Sequence, residues 1–499
     1  MAKPPRVLIV TPEVTYLPQR MCAPARHLGA KAGGLADVSA GLINALYEQG
    51  GDIHVALPDY RSIFNAKGDP SILKELDILR SRVSDARLHL AEDKVFYKRS
   101  QVYSSSGLEN VDISLAFQRE VINTIVPGVQ PDLIHCHDWM TGLIPAMARQ
   151  QGIPCLFTIH NIHTYKIVLA RAEVMGLDVA SFWKNLFFDR MPQSLAESHD
   201  TNPVDFLASG IFASHFVNTV SPGFLKEVIQ GRHDFVDPPI RNELANKVRA
   251  GCAVGILNSP DPSFLPEIDA AIPRRYDPAG HGQGKESCKR FAQETFGLVP
   301  DSRAPLMFWA SRLDSIQKGA RLMAEVMDSV MARYKNLQIL FVADGDYREP
   351  MASRIGTSGF RDRAAVYGFD EKHSRMAYAA ADFILMPSRF EPCGLPQIIG
   401  PIYGALPIAH DTGGIHDTVE PMDVRTGTGN GFLFQSHTAE GFSRAIDDAM
   451  AFFFLPGDVR AVQVKRVMEQ SRKRFNHSVT AKQYIQLYET MLHRPLITH

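Results

Sequence analysis

Short apolar runs, many rich in β-branched residues, alternate along this chain with longer stretches of helical period, and the alternation happens twice. In the first half the runs are Arg6 to Val10, Ile53 to Leu57, Leu133 to Cys136, Cys155 to Ile159 and Phe216 to Val220. In the second half they are Leu306 to Ala310, Leu337 to Val342, Ala364 to Tyr367, Phe383 to Met386 and Leu406 to Ala409. A strand buried on both faces reads as a continuous apolar run, and a parallel neighbour needs a crossover helix. The pattern therefore predicts two doubly wound α/β domains of the Rossmann-like kind, facing each other across a cleft. A segment rich in Pro, Gly and Asp, from Asn258-Ser259-Pro260-Asp261-Pro262 to Gly282-Gln283-Gly284, reads as the connection. The expected domains are 1–255 and 256–477, followed by a helix over 478–499 that docks on the body through Tyr484, Leu487, Tyr488 and Met491.

Composition narrows the function classes. A chain of 499 residues, 45% apolar, has room for two or three domains. Its net charge of -1 gives no general attraction to nucleic acid or to an anionic membrane. The six cysteines, Cys22, Cys136, Cys155, Cys252, Cys288 and Cys393, form no C-x-x-C pair, which argues against a zinc ribbon or a disulfide scaffold and for a reducing, cytoplasmic compartment. The first residues contain too few apolar side chains for a signal-peptide core, and no later run reaches membrane-spanning length.

In doubly wound sheets ligands bind beyond the carboxyl ends of the strands, so informative residues should follow strands. After the first strand come Thr11-Pro12-Glu13, a long loop, and Lys31-Ala32-Gly33-Gly34, with helical spacing from Leu35 onwards. Bare amides at that helix N-terminus, with Lys31 beside them, suit a phosphate; an ordinary glycine turn with a solvated lysine suits the same residues. Asp138 and Trp139 follow His135-Cys136-His137, and Thr158-Ile159-His160-Asn161 ends the next strand. A carboxylate at Asp138 can accept hydrogen bonds from sugar hydroxyls. The histidines could be metal ligands or structural groups with satisfied ring nitrogens, but no acidic pair completes a metal site.

In the second domain Arg312 and Lys318 flank a short loop before a helix, where they suit either a diphosphate clamp or a pair of surface cations. The turn Pro387-Ser388-Arg389-Phe390-Glu391-Pro392-Cys393-Gly394-Leu395 holds Glu391 at its apex and opens a helix at Gly394 and Leu395. Asp411-Thr412-Gly413-Gly414 repeats the theme after the following strand. Cys393 lacks the partners of an acyl-transfer nucleophile and reads as a buried thiol. There is no G-x-G-x-x-G between the first strand and its helix, which counts against a dinucleotide-binding oxidoreductase.

These segments together resemble the bacterial glycogen synthases and plant starch synthases. The resemblance is carried by Lys31 to Val38, Leu57 to Tyr60, His137-Asp138-Trp139, Thr158 to Asn161, Thr219 to Pro222, Gly255 to Asn258, Ser311 to Leu313, Gln317 to Gly319, Pro387 to Leu395 and Thr412 to Gly414, in family order. It implies the two-domain GT-B fold and transfer of glucose, with retention, from ADP-glucose to the 4-hydroxyl of an α-glucan. It also implies roles. Lys31, Gly33 and Gly34 would approach the distal phosphate, and Asp138, His160 and Asn161 would hold the donor glucose. Arg312 and Lys318 would neutralise the leaving diphosphate, and Glu391 would stabilise positive charge at the anomeric carbon. Asn258, Cys393, Gly394, Leu395, Thr412 and Gly413 would line the donor pocket. The family needs no metal or other cofactor, and its front-face mechanism has the departing phosphate take the acceptor's proton. The chain departs from the family at Ala32, in the length of the loop from Glu13 to Lys31, in one extra residue between Arg312 and Lys318, at Ser259-Pro260, and after Asn161. These departures spare the charged groups and touch loops that face nucleotide and acceptor, leaving UDP-glucose or a small sugar or sugar-phosphate acceptor as alternatives. A non-catalytic glucan-binding protein would be expected to lose Glu391, Arg312 or Lys318, and all three are present.

Overall fold

The computed structural model describes residues 3–497 except 22–24, 26–27, 66–73, 75–76 and 78–85, so Cys22 lies outside the described residues. The chain forms two compact units, Met1–Leu257 with His477–His499, and Asn258–Asn476.

In the first unit the main strands are β1 (Arg6–Val10), β2 (Asp52–Pro58), β3 (Leu88–Ala91), β4 (Leu133–His137) and β5 (Cys155–Ile159), followed after a short ribbon by β8 (Phe216–Thr219) and β9 (Ala253–Gly255). The ribbon pairs β6 (Lys166–Ile167) and β7 (Val204–Asp205) antiparallel. The seven-stranded sheet runs β3-β2-β1-β4-β5-β8-β9 and is parallel throughout. Val7 to Val10 are fully buried, as a central parallel strand requires. The chain builds outward from β1 in one direction and then returns to start again at β4. The switch point therefore lies between β1 and β4, where such a sheet offers a ligand the loops after both strands.

The second unit repeats the plan with β10 (Leu306–Trp309), β11 (Gln338–Val342), β12 (Ala364–Tyr367), β13 (Phe383–Met386), β14 (Leu406–His410) and β15 (Phe432–Phe434). Their order is β12-β11-β10-β13-β14-β15, again parallel, with the switch point between β10 and β13. Three strands of the two sheets, β3, β9 and β15, have no counterpart among the ten apolar runs.

The last helix, His477–Leu492, belongs to the first unit and packs against the helix Gly34–Glu48. Tyr484 and Tyr488 are buried under it. The Tyr484 hydroxyl accepts from Asn218 Nδ2 of β8 at 2.9 Å, and the Tyr488 hydroxyl sits 2.7 Å from His135 Nδ1 of β4. Among the described residues no helix is long and apolar enough to cross a membrane.

Candidate active site

In the second unit two loops that leave neighbouring strands at the switch point are fastened together. After β10, Asp314 Oδ1 accepts the amides of Ile316 and Gln317 at 2.9 and 2.6 Å and curls the loop. Gln317 O then accepts the Arg389 amide at 2.8 Å from the turn after β13. Gly319 has φ 78°, and a Cβ there would overlap the Pro387 carbonyl, so the close approach of the two loops requires glycine. The result is that Lys318 Nζ lies 2.6 Å from Glu391 Oε2, which Ser388 Oγ also approaches at 3.2 Å. The pair is nearly dry, with side-chain exposures of 13% for Lys318 and 5% for Glu391. Two charges withdrawn from water in this way cost several kcal/mol each before their attraction is counted, on the order that such burial demands. A pair of that kind adds little stability over an apolar packing of the same volume.

The rest of the turn is held from several sides. His410 Nδ1 donates to Ser388 O at 2.7 Å and His437 Nε2 to Pro387 O at 2.9 Å. The Gly414 amide donates to Glu391 O at 2.9 Å, and Gly414 lies so close to the Cys393 backbone that no Cβ would fit. Gly394, at φ 74°, leads into the helix Pro396–Ile402, and Gln397 Nε2 reaches back to Cys393 O and Gly394 O at 2.7 and 3.1 Å. Thr412 and Gly413 open the neighbouring helix Gly413–Thr418. Burial pushes the Cys393 thiol up to about 12, against a backbone hydrogen bond from Asn258 that pulls it down, so this sulfur stays protonated and is no nucleophile. Arg312 is not drawn into the group: its side chain is 67% exposed, and it lies 4.0 Å from Asp314 Oδ2.

In the first unit the loops after β4 and β5 are joined through Asp138. This residue has φ 58° and ψ -179°, a backbone region that costs a non-glycine residue on the order of 1–3 kcal/mol. The strain aims its carboxylate at the next loop: Oδ1 accepts the His160 amide at 2.7 Å, and the Asn161 amide also bonds the carboxylate. Among the described residues no cation accompanies these bonds. Desolvation therefore dominates and raises the Asp138 carboxyl to about 7, with the nearby charge of Glu13 pushing the same way. His160 Nε2 faces His137 Nδ1 at 2.9 Å, with the two ring planes inclined by 30°, and burial lowers His160 to about 3. Both rings are neutral near pH 7.

After β1 stands a residue for which sequence reasoning supplied no role. Glu13 Oε2 accepts the amides of Ala32 and Gly33 at 2.6 and 3.1 Å, and its Oε1 takes the Tyr103 hydroxyl at 3.2 Å. The expectation of bare amides at Gly33 is corrected accordingly: an internal carboxylate already engages one of them, because a buried Glu13 needs donors. Gly33 and Gly34 otherwise border open space, and the helix Gly34–Glu48 starts directly behind them. Lys31 Nζ is paired with Asp37 at 2.8 Å. The signal for Glu13 was its place at the carboxyl end of the central strand.

Residues 6–236 match the family described as Starch synthase catalytic domain, and residues 304–451 match Glycosyl transferases group 1. The glycogen synthase of Exiguobacterium sibiricum is 32% identical over 440 residues, which span 83% of this chain and 88% of that protein. The glycogen synthase of Moorella thermoacetica is 30% identical over 99% of this chain and 98% of its own length. Among solved structures, the catalytic domain of starch synthase IV from Arabidopsis thaliana, bound to ADP and acarbose, superposes with a TM-score of 0.77 at 26% identity, covering 99% of this chain and 100% of that one. The two parallel sheets and these neighbours make the fold GT-B, and the chain belongs to the glycogen and starch synthase family of glycosyltransferases.

Proposed function

We propose that this protein transfers glucose, with retention, from ADP-glucose to the 4-hydroxyl at the non-reducing end of an α-1,4-glucan. The observation that carries the reading is the dry Lys318–Glu391 pair at the switch point of the second sheet. It sets a fixed ammonium and a fixed carboxylate 2.6 Å apart, which suits a reaction that develops negative charge on a departing phosphate and positive charge on the adjoining sugar carbon. The likeness to a starch synthase that binds ADP and acarbose supports an ADP-linked donor and a glucan acceptor.

In this reading Lys318 and Arg312 take up the charge of the diphosphate, Arg312 by turning its exposed side chain onto the ligand. Glu391 steadies the anomeric centre as the bond breaks, and the phosphate oxygen removes the acceptor proton. His160, Asn161 and Asp138 bind the glucose hydroxyls, with Asp138 also shaping the His160 turn. Lys31 and the Gly33-Gly34 segment approach the distal phosphate, while Asn258, Cys393, Gly394, Leu395, Thr412 and Gly413 line the donor pocket. The protein cations supply the counter-charge without a metal or other cofactor, in a cytoplasmic setting. Donor choice is tested by comparing initial rates with ADP-glucose and UDP-glucose on glycogen and on maltoheptaose, followed by NMR of the lengthened oligosaccharide. The reading predicts an α-1,4 linkage and faster transfer from ADP-glucose; transfer only to free glucose phosphate or fructose contradicts it.

A further inference from the structure

Three histidines lie side by side at the carboxyl ends of β4 and β5. Rings of His135 and His137 are 4.2 Å apart between centroids, and those of His137 and His160 are 5.2 Å apart. The hydrogen-bond partners of His135 fix its tautomer. Asn218 Nδ2 donates to Tyr484 and, at 3.4 Å, to the Thr219 carbonyl, which orients the amide and leaves Asn218 Oδ1 to accept from Thr158 Oγ1. With its only proton spent there, Thr158 must accept from His135 Nε2, 2.6 Å away. His135 Nδ1 then accepts from the Tyr488 hydroxyl. Both nitrogens of this fully buried ring are satisfied in a single neutral form.

His137 differs. Its Nδ1 faces His160 Nε2 at 2.9 Å, but its own Nε2 is buried without a hydrogen-bond partner among the described residues. Only two neutral arrangements place one proton in the shared bond. If His160 donates, His137 must carry its proton on Nε2, as a buried N–H that bonds to nothing. If His137 donates from Nδ1, the orphan is a bare lone pair. An orphaned buried N–H is the rarer feature of folded proteins, and an unmade donor bond carries the full desolvation cost of the group. A doubly protonated His137 would leave a buried charge unpaired, and burial lowers its basicity well below the ordinary histidine range.

We propose that His137 is a positioning residue: its Nδ1–H, donated to His160 Nε2, locks His160 in the Nδ1–H tautomer, so that His160 meets the donor sugar as a hydrogen-bond donor at Nδ1. The functional half rests on His160 binding the donor glucose, as proposed above; the tautomer itself does not. A locked donor recognises a hydroxyl oxygen without first reorganising, which strengthens binding and orientation of the sugar in the same way as any preorganised group.

Two-bond 1H–15N correlation spectra of the perdeuterated, 15N-histidine-labelled full chain read the tautomer directly, with His160 assigned by the signals missing from His160→Asn. The expected result is His160 protonated on Nδ1 and bare on Nε2, with the reverse protonation in neither ring of the pair. A His160 ring carrying its proton on Nε2, or on both nitrogens, overturns the proposal. Activity tests the consequence. His137→Leu should raise KM for ADP-glucose about tenfold with a smaller change in kcat, and His137→Asn, which keeps an amide donor near the Nδ1 position, should recover most of it. Equal KM for His137→Leu and wild type, or a folded His137→Asn no better than His137→Leu, overturns the positioning role. His160→Ala with unchanged KM would instead remove the donor-binding reading of His160 and leave the spectroscopic result standing.

Discussion

At the scale of single residues the site depends on charges kept in places where water would normally dissolve them. Lys318 and Glu391 hold each other at 2.6 Å, so removing either leaves the other buried and unpaired. Lys318→Met is expected to lower kcat by about 10²- to 10³-fold, the loss typical of one preorganised electrostatic group, with a modest change in acceptor KM. Steady-state kinetics with saturating glycogen checks this, and a loss below about threefold would remove Lys318 from the chemistry. Asp138 supplies a pH dependence. Its folded-state pKa of about 7 lies above the ordinary carboxyl value of 3.8, so the carboxylate that grips the His160 and Asn161 amides is lost as pH falls through about 7. KM for the donor should rise between pH 8 and pH 6, and Asp138→Asn should flatten that rise. The same shift has a stability sign. The folded state holds a proton between pH 3.8 and about 7 that the unfolded chain has released, so the Asp138 contribution is favourable in acid and declines as pH rises through that window. The turn that carries Glu391 was legible in the sequence because Pro and Gly surround it after an apolar strand, whereas Lys318 suited a clamp or a surface cation equally and took its expected role from the family resemblance. His137 was visible only as part of a histidine-rich strand end, since the orphaned Nε2 exists only once β4 and β5 are paired.

At the scale of elements, glycines and aromatic anchors set how loops and helices meet. Gly319→Ala would place a Cβ against the Pro387 carbonyl in a left-handed backbone conformation, forcing apart the two loops that pair Lys318 with Glu391. A loss of about 2–3 kcal/mol in the second unit and a collapse of transfer activity are expected, read from urea unfolding and from rates at low denaturant. In the first unit Tyr488→Phe would strand His135 Nδ1 without its donor and cost about 1–3 kcal/mol, the usual range for a buried group left unsatisfied. The terminal helix was readable from the spacing of Tyr484, Leu487, Tyr488 and Met491. Strands β3, β9 and β15 were not: Leu88–Ala91 has no β-branched residue, Ala253–Gly255 is three residues long, and Phe432–Phe434 is three residues after Gly429 and Gly431. All three occupy sheet edges, where one neighbour suffices and the apolar run can be short.

At the scale of the whole molecule, two parallel sheets of the same plan each bring their loops to a switch point, and the sequence announced both through its repeated strand–helix alternation. What it hid were polar groups buried for structural reasons. Lys285 stands on the helix His281–Thr295, where a lysine reads as solvent-facing, yet its ammonium is buried and donates to the carbonyls of Ala379, Ala381 and Tyr403 at 3.2, 2.7 and 3.0 Å. These carbonyls lie at the ends of the helices Glu371–Ala380 and Pro396–Ile402, so one cation caps both. Desolvation lowers its pKa from 10.5 to about 8. Between those values the unfolded chain is protonated and the folded one is not, so this contribution to stability rises with pH across the window, by about 3 kcal/mol in all. The slope of unfolding free energy from pH 8 to 10.5 should therefore be smaller in Lys285→Met than in wild type, whatever the absolute stability of the variant.

The central proposal, that this glucan synthase works through Glu391 without a metal, is tested most directly by one assay: incorporation of labelled glucose from ADP-glucose into glycogen, in EDTA, by wild type and Glu391→Ala. The account predicts polymer labelling that survives the chelator and falls by at least about a hundredfold in the variant. Labelling that vanishes in EDTA, or that persists at wild-type rate without the Glu391 carboxylate, would contradict it.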